Sequence, residues 1–170
     1  MFTETAMLYG LPLNRKVLKM ISKDTENKIL KHLPFSKPFL FVDHILDVNE
    51  NGITGTHKFL KSEAFYKGHF TDNPITPGVL LLETMGQIGL VCFGIYLLRI
   101  HETNQPFLPY LSHLESDFLA PVYPDETVTV HASKEYFRNN ILKCTIEMRD
   151  AAQKVVLTNT TICTFKLIVA

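Results

Sequence analysis

His69 and Glu83 are the two side chains whose types and setting suit acid-base chemistry, and both fall in GHFTDNPITPGVLLLETMGQ, residues 68–87. An unperturbed histidine titrates near pH ~6.5, so it can take a proton at neutral pH without a large environmental shift. Gly68 lets the backbone bend ahead of His69, and Phe70 puts an aromatic wall beside the ring. Glu83 lies on an otherwise apolar helix, where an unpaired ionised carboxylate is costly. Burial favours the protonated carboxyl, the form that can donate a proton. Gln87, one turn on along the same face, can orient Glu83 or satisfy a nearby backbone group. Taken singly, each has a structural alternative: a histidine hydrogen-bonded in a tight loop, a carboxylate held by one buried bond. Their closeness in one segment favours chemistry.

The start of the helix supplies a third part. Thr76 suits the N-cap and Pro77 the first helical position, where a missing N–H costs nothing. The free N–H groups near Gly78 and Val79, at the positive end of the helix dipole, can hold an oxygen that gains negative charge. Base, acid and oxyanion site together suit proton abstraction next to a carbonyl with loss of a β-substituent, as in a dehydratase. Phe65, Phe70, Val79 and the helix predict an apolar tunnel for a fatty or polyene chain.

Other chemistries lack support. The remaining histidines show no metal-ligand spacing with carboxylates or cysteines. Cys92, Cys144 and Cys163 are odd in number, far apart and set in apolar stretches, which predicts buried thiols in a reducing cytoplasm rather than a disulfide framework. No serine sits in a nucleophile elbow and no glycine-rich phosphate loop is present.

The elements that must position these residues follow from periodicity. At 170 residues with 46% hydrophobic content the chain suits one domain, and 17 basic against 17 acidic residues point away from nucleic acid. Residues 1–33 read as a helical extension that packs onto a body covering 34–170. FLFVDHILDV and ITGTHKFL read as strands joined at Asn51-Gly52. One helix is predicted from Pro77 to about Ile100. Its length raises a membrane span, but Glu83, Gln87 and three glycines inside it favour a buried core helix. Beyond Pro106 the period becomes two, predicting four strands turned at Asn139-Asn140 and Asp150–Gln153. An antiparallel sheet wrapped around one buried helix satisfies this order, and the fold class is α+β. The opening MFTETAMLYGLPLNRK lacks the pattern of a signal peptide.

The chain resembles hotdog-fold 3-hydroxyacyl-acyl-carrier-protein dehydratases from Leu33 to about Phe165. LPFSKPFLFVDHILDV is similar to that family's opening strand, GHFTDNPITPGVLLLETMGQ to its active-site loop and helix, and SDFLAPVYPDETVTV to its later strand with a Pro-Val-x-Pro turn. The resemblance implies His69 as the base for the α-proton, Glu83 as the group handling the departing hydroxyl, and the Gly78 N–H as the polariser of the thioester carbonyl. It implies no cofactor in the protein itself, since the substrate rides on the phosphopantetheine of an acyl carrier protein. It also implies a homodimer, or a trimer of dimers, in which His69 of one chain faces Glu83 of the other. Glutamate at 83 matches the dehydratase branch rather than the sister branch that also isomerises the double bond. Thr71-Asp72, Phe35-Ser36 and Gly86 depart from the usual pattern, which also fits a pathway-specific enzyme for a polyketide, pigment or modified lipid. Two other readings share the scaffold: a hotdog thioesterase and a catalytically silent acyl-binding subunit. Lys61, Lys67, Arg99 and Arg138 are the cations considered for carrier docking.

Overall fold

A computed structural model describes residues 21–168. Residues 1–20 of the expected extension lie outside the described residues. What is described of it is α1 (Lys23–Lys31), begun by Ser22, whose side chain accepts from the Thr25 N–H. Glu26 on α1 is buried against His44 and the Ile45 N–H, and the His32 side chain meets Asn104 at 2.7 Å, so α1 is tied to the body at two points.

Two short strands follow, β1 (His44–Asn49) and β2 (Gly52–Lys58). The central helix then runs as α2 (Gly78–Gly86), a π-helical turn (Gln87–Cys92) and α3 (Phe93–Leu97). After a break at Arg99, which has a left-handed φ of 55°, α4 (Ile100–Thr103) adds a last turn. Four longer strands complete the chain: β3 (Phe107–Phe118), β4 (Thr127–Arg138), β5 (Ile141–Arg149) and β6 (Val155–Leu167).

All six strands form one antiparallel sheet in the order β1-β2-β4-β5-β6-β3. Register shifts in β1, β3, β4 and between β5 and β6 are the devices that bend a sheet, and this one curls around the helix. Alternate residues of β5 (Leu142, Cys144, Ile146, Met148) are fully buried and meet Met85, Ile88, Cys92 and Ile95 in one core. Close approach requires Gly94, where an added Cβ would lie 2.1 Å from the Phe165 ring. This is the hotdog architecture, and the long apolar segment is its core helix rather than a lipid-facing one.

Three local expectations change. FLFVDHILDV is not a strand throughout, because β1 begins at His44 and the backbones of Phe39 and Phe41 bond the Gln87 side chain. Pro77, with ψ of 129°, is itself the N-cap and Gly78 opens the helix; Thr76 instead bonds the Tyr66 hydroxyl at 2.6 Å. The helix is interrupted before Ile100 rather than continuous to it.

Candidate active site

His69 sits in the loop between a 3₁₀ turn (Ala64–Lys67) and α2. The loop is pinned at several points: the Ile75 N–H donates to the His69 carbonyl, the Thr76 N–H to the Val122 carbonyl, and Tyr66 anchors Thr76. The His69 ring stacks on Phe70 at 4.2 Å, and the peptide between them is cis. His69 Nδ1 lies 3.0 Å from the Ile75 carbonyl oxygen. A carbonyl only accepts, so Nδ1 carries the proton and Nε2 keeps its lone pair.

Glu83 is half-buried, not buried as expected from its apolar helix, and it opens on a cavity of about 560 Å³. Gln87 Nε2 donates to Glu83 Oε1 at 2.9 Å and to the Phe39 carbonyl at 2.9 Å, while Gln87 Oε1 accepts the Phe41 N–H at 2.8 Å. Both amide hydrogens and the carbonyl are used, so the carboxamide can face only one way. Gln87 therefore does both things considered for it. The segment that holds it, Phe39–Phe41, was hidden inside the expected first strand. Pro38 was the one signal that could have separated them, since it cannot join a ladder.

Val79, Leu82, Glu83, Gly86, Gln87 and Leu90 all line the cavity, and their spacing is one helix face. Pro34, Phe35 and residues of β3 and β6 supply the other walls. Phe35 and Gly86, two of the departures noted above, fall on this wall, whereas Thr71-Asp72 lies on the exposed loop. His69, Phe65, Phe70 and Gly78 do not line the cavity of their own chain. Phe65 is half-buried against Tyr66 and Phe70 is exposed. Gly78, at the open helix end, could not carry a side chain without meeting the Phe118 ring at 2.7 Å. Sequence reasoning missed Pro34, Phe35 and Asn159 as cavity residues.

Two of the four cations considered for carrier docking already have partners. Arg99 pairs with Glu102, and Arg138 lies over the Tyr136 ring. Among the described residues no cluster of histidine, cysteine or carboxylate side chains could hold a metal ion. Burial pushes the Cys144 and Cys163 thiols up to about 12, and Cys92 is raised further, so none is a ready nucleophile.

Comparison with known proteins bears on this geometry. A solved dehydratase heterocomplex, ApeI:P from Xenorhabdus doucetiae, superposes with a TM-score of 0.67 at 12% identity, covering 80% of this chain and 89% of that one. A thioesterase from Haemophilus influenzae superposes at 0.54 with 17% identity, covering 75% and 80%, so at these identities shape alone is shared. Sequence reaches further. The chain is 33% identical over 121 residues to 3-hydroxyacyl-(acyl-carrier-protein) dehydratase FabZ of Fusobacterium nucleatum, covering 69% of this chain and 81% of the relative. The FabZ of Thermus thermophilus is 33% identical over 120 residues, covering 70% and 82%. A model of the FabA-like domain matches residues 33–160, a span that holds the histidine loop, the glutamate helix and every strand up to the middle of β6, and the chain belongs to that family.

Proposed function

We propose that the protein dehydrates a 3-hydroxyacyl thioester, carried on the phosphopantetheine arm of acyl carrier protein, to the trans-2-enoyl thioester and water in fatty-acid biosynthesis. The observation that carries this reading is the pair of oriented groups: His69 with Nδ1 occupied and Nε2 open, and Glu83 held by a fully committed Gln87 at the cavity wall. Relatives a third identical bear the name of this activity.

His69 Nε2 removes the α-proton while the Gly78 N–H, at the positive end of α2, takes the charge that builds on the thioester oxygen. Glu83, in its protonated form, gives its proton to the β-hydroxyl, which leaves as water. The imidazolium and carboxylate that remain reset by proton exchange with solvent. The chemistry asks for no cofactor. The acyl chain occupies the cavity beside Glu83, whose walls are mostly hydrocarbon.

The working unit is a homodimer. Among the described residues β3 ends the sheet with one side unpaired, and it exposes Leu108, Tyr110, Leu111, Leu114 and Phe118. A long, exposed, apolar edge is a template for a second copy. Because His69 does not line the cavity that holds Glu83 in its own chain, pairing supplies each cavity with the base of the partner copy. The three free, buried thiols suit a reducing compartment such as the cytoplasm.

The test is turnover of a 3-hydroxyacyl-pantetheine thioester by wild type, His69→Ala, Glu83→Gln and a refolded mixture of the two variants. Each variant alone should lose about 10²- to 10⁴-fold in kcat. The mixture should recover about a quarter of wild-type activity, because half the dimers are mixed and each has one intact site. Equal rates in all proteins remove the assignment, and free thiol in place of enoyl product marks a thioesterase.

A further inference from the structure

The acyl cavity is not hydrocarbon throughout. β6 presents Asn159, Thr161 and Cys163 to it at alternate positions, which share one face of a strand. Asn159 is only 4% exposed, and its Oδ1 is buried without a hydrogen bond among the described residues. Its Nδ2 points at Met85 Sδ, 3.7 Å away. A thioether can only accept, so the N–H₂ end must be the one facing Met85 and the carbonyl end is the one left over. Thr161 donates its only hydroxyl hydrogen to the His113 carbonyl at 2.9 Å, so toward the cavity it too can only accept. Asn159 Oδ1 and Thr161 Oγ1 therefore both offer acceptor capacity on this part of the wall.

Buried polar groups in folded proteins are almost always paired, and an orphan is the exception that asks for a partner. The neighbouring cavity is where such a partner can enter. The last torsion of asparagine is soft, so a small turn of the carboxamide brings Oδ1 to the cavity and gives up only a weak N–H···S contact. The helix wall leaves room for it: a Cβ added at Gly86, which lines the same cavity, would meet nothing within 4 Å.

We propose that Asn159 is a specificity-determining residue and that the preferred substrate is a 3-hydroxyacyl thioester whose chain carries a second hydroxyl farther along, donating to Asn159 Oδ1. The inference rests on the dehydratase reading for the reacting end of the substrate. An unfunctionalised chain leaves Oδ1 unpaired in the complex. A chain with a hydroxyl at the matching carbon pairs both groups, so the site discriminates between the two chains.

The experiment compares two 3-hydroxyacyl-pantetheine thioesters of equal length, one plain and one with an added hydroxyl, the hydroxyl being moved along the chain in a series. Wild type should favour one position of the series over the plain chain by about ten-fold in kcat/KM, mainly through KM. Asn159→Leu, which removes the acceptor at similar volume, should abolish or reverse the preference, read as the ratio of kcat/KM for the two chains within each protein. If that variant does not fold, Asn159→Ala is read in its place. The same preference ratio in wild type and variant overturns the inference, as does equal kcat/KM for all chains in wild type. If neither thioester is dehydrated, the reaction assignment has failed separately. Calorimetry with the matching free fatty acids then decides on Asn159: a hydroxyl preference lost in Asn159→Leu upholds the inference, and equal binding overturns it.

Discussion

Replacing Gln87 with leucine tests whether Glu83 is positioned or merely present. Gln87 is 1% exposed and makes three hydrogen bonds, to Phe41 N–H, Phe39 O and Glu83 Oε1. Leucine has similar volume, so the core does not empty, but the Phe41 N–H is left without its acceptor in a residue 4% exposed. An orphaned buried donor costs about 1–3 kcal/mol. Phe39 is 49% exposed and its carbonyl can turn to water, so its share is small. A loss of about 2 kcal/mol lowers Tm by roughly 4–8 °C for a chain of this size. The kinetic effect is separate, because a carboxyl that drifts by an ångström loses about 10²-fold in rate. The assay is a double-mutant cycle in kcat and Tm with Glu83→Gln. If Gln87 acts through Glu83, Gln87→Leu costs about 10²-fold alone and little more in the Glu83→Gln background, while the Tm loss appears in both. A hundred-fold loss in both backgrounds, or no loss in wild type, refutes the positioning argument.

Gly86→Ala meets nothing within 4 Å and removes a helix-interior glycine, so it should stabilise by up to about 1 kcal/mol in chemical denaturation. The added methyl enters the cavity wall and should raise KM for the longest acyl chains. His131 bonds Thr54 at 3.0 Å, and burial first, then the Arg149 charge, hold its imidazole below the ordinary value of 6.5. The unfolded chain therefore binds more protons in that window, so this contribution to stability is full above pH 6.5 and fades as pH falls below it. Urea midpoints from pH 7.5 to 5 should fall less steeply in His131→Gln than in wild type, and parallel curves would exclude His131 as the source. Leu111, 61% exposed on the unpaired side of β3, should act at the dimer edge. Leu111→Glu should sediment as a monomer with turnover reduced to that of Glu83→Gln, whereas a fully active monomer would rule out a shared site.

The sheet was legible because the signals that made it were local. Alternation along ETVTVHASKEYF and ILKCTIEMRD tracks a face packed on the helix, and the observed strands differ from those runs by one or two residues at their ends. Asn139 and Asn140 both adopt the left-handed conformation that a two-residue hairpin demands, with φ of 51° and 59°. What escaped was set by contacts distant in sequence. Phe39 and Phe41 look like strand residues because burial and β propensity are local properties, yet their backbone is engaged by a side chain far along the chain. Asn159 reads as one more position in an alternating strand. Only the meeting of β6 with Met85 on the helix shows that half its amide is unmatched.

The helix at the centre carries two contradictory demands, and their resolution links assembly to activity. Its face through Leu81, Met85, Ile88 and Ile95 is sealed by the sheet, as a core helix requires. Its other face, through Val79, Leu82, Glu83, Gly86 and Leu90, is left to a cavity, with Val79 71% exposed. Apolar surface of that kind on a lone chain is unfavourable in water and invites covering. On the proposed reading an acyl chain would cover the inner part, and a second copy seated on β3 would cover the rim that includes Leu111 and Leu114, residues that line the same cavity. Substrate and partner would therefore bury parts of one continuous surface. An acyl group filling the cavity would then extend the apolar contact available to the partner, and pairing would dry the cavity in which Glu83 acts. In the proposed dimer, pairing would also bring the partner's histidine to the cavity that holds this glutamate, so the surface that drives association would be the surface on which the reaction takes place.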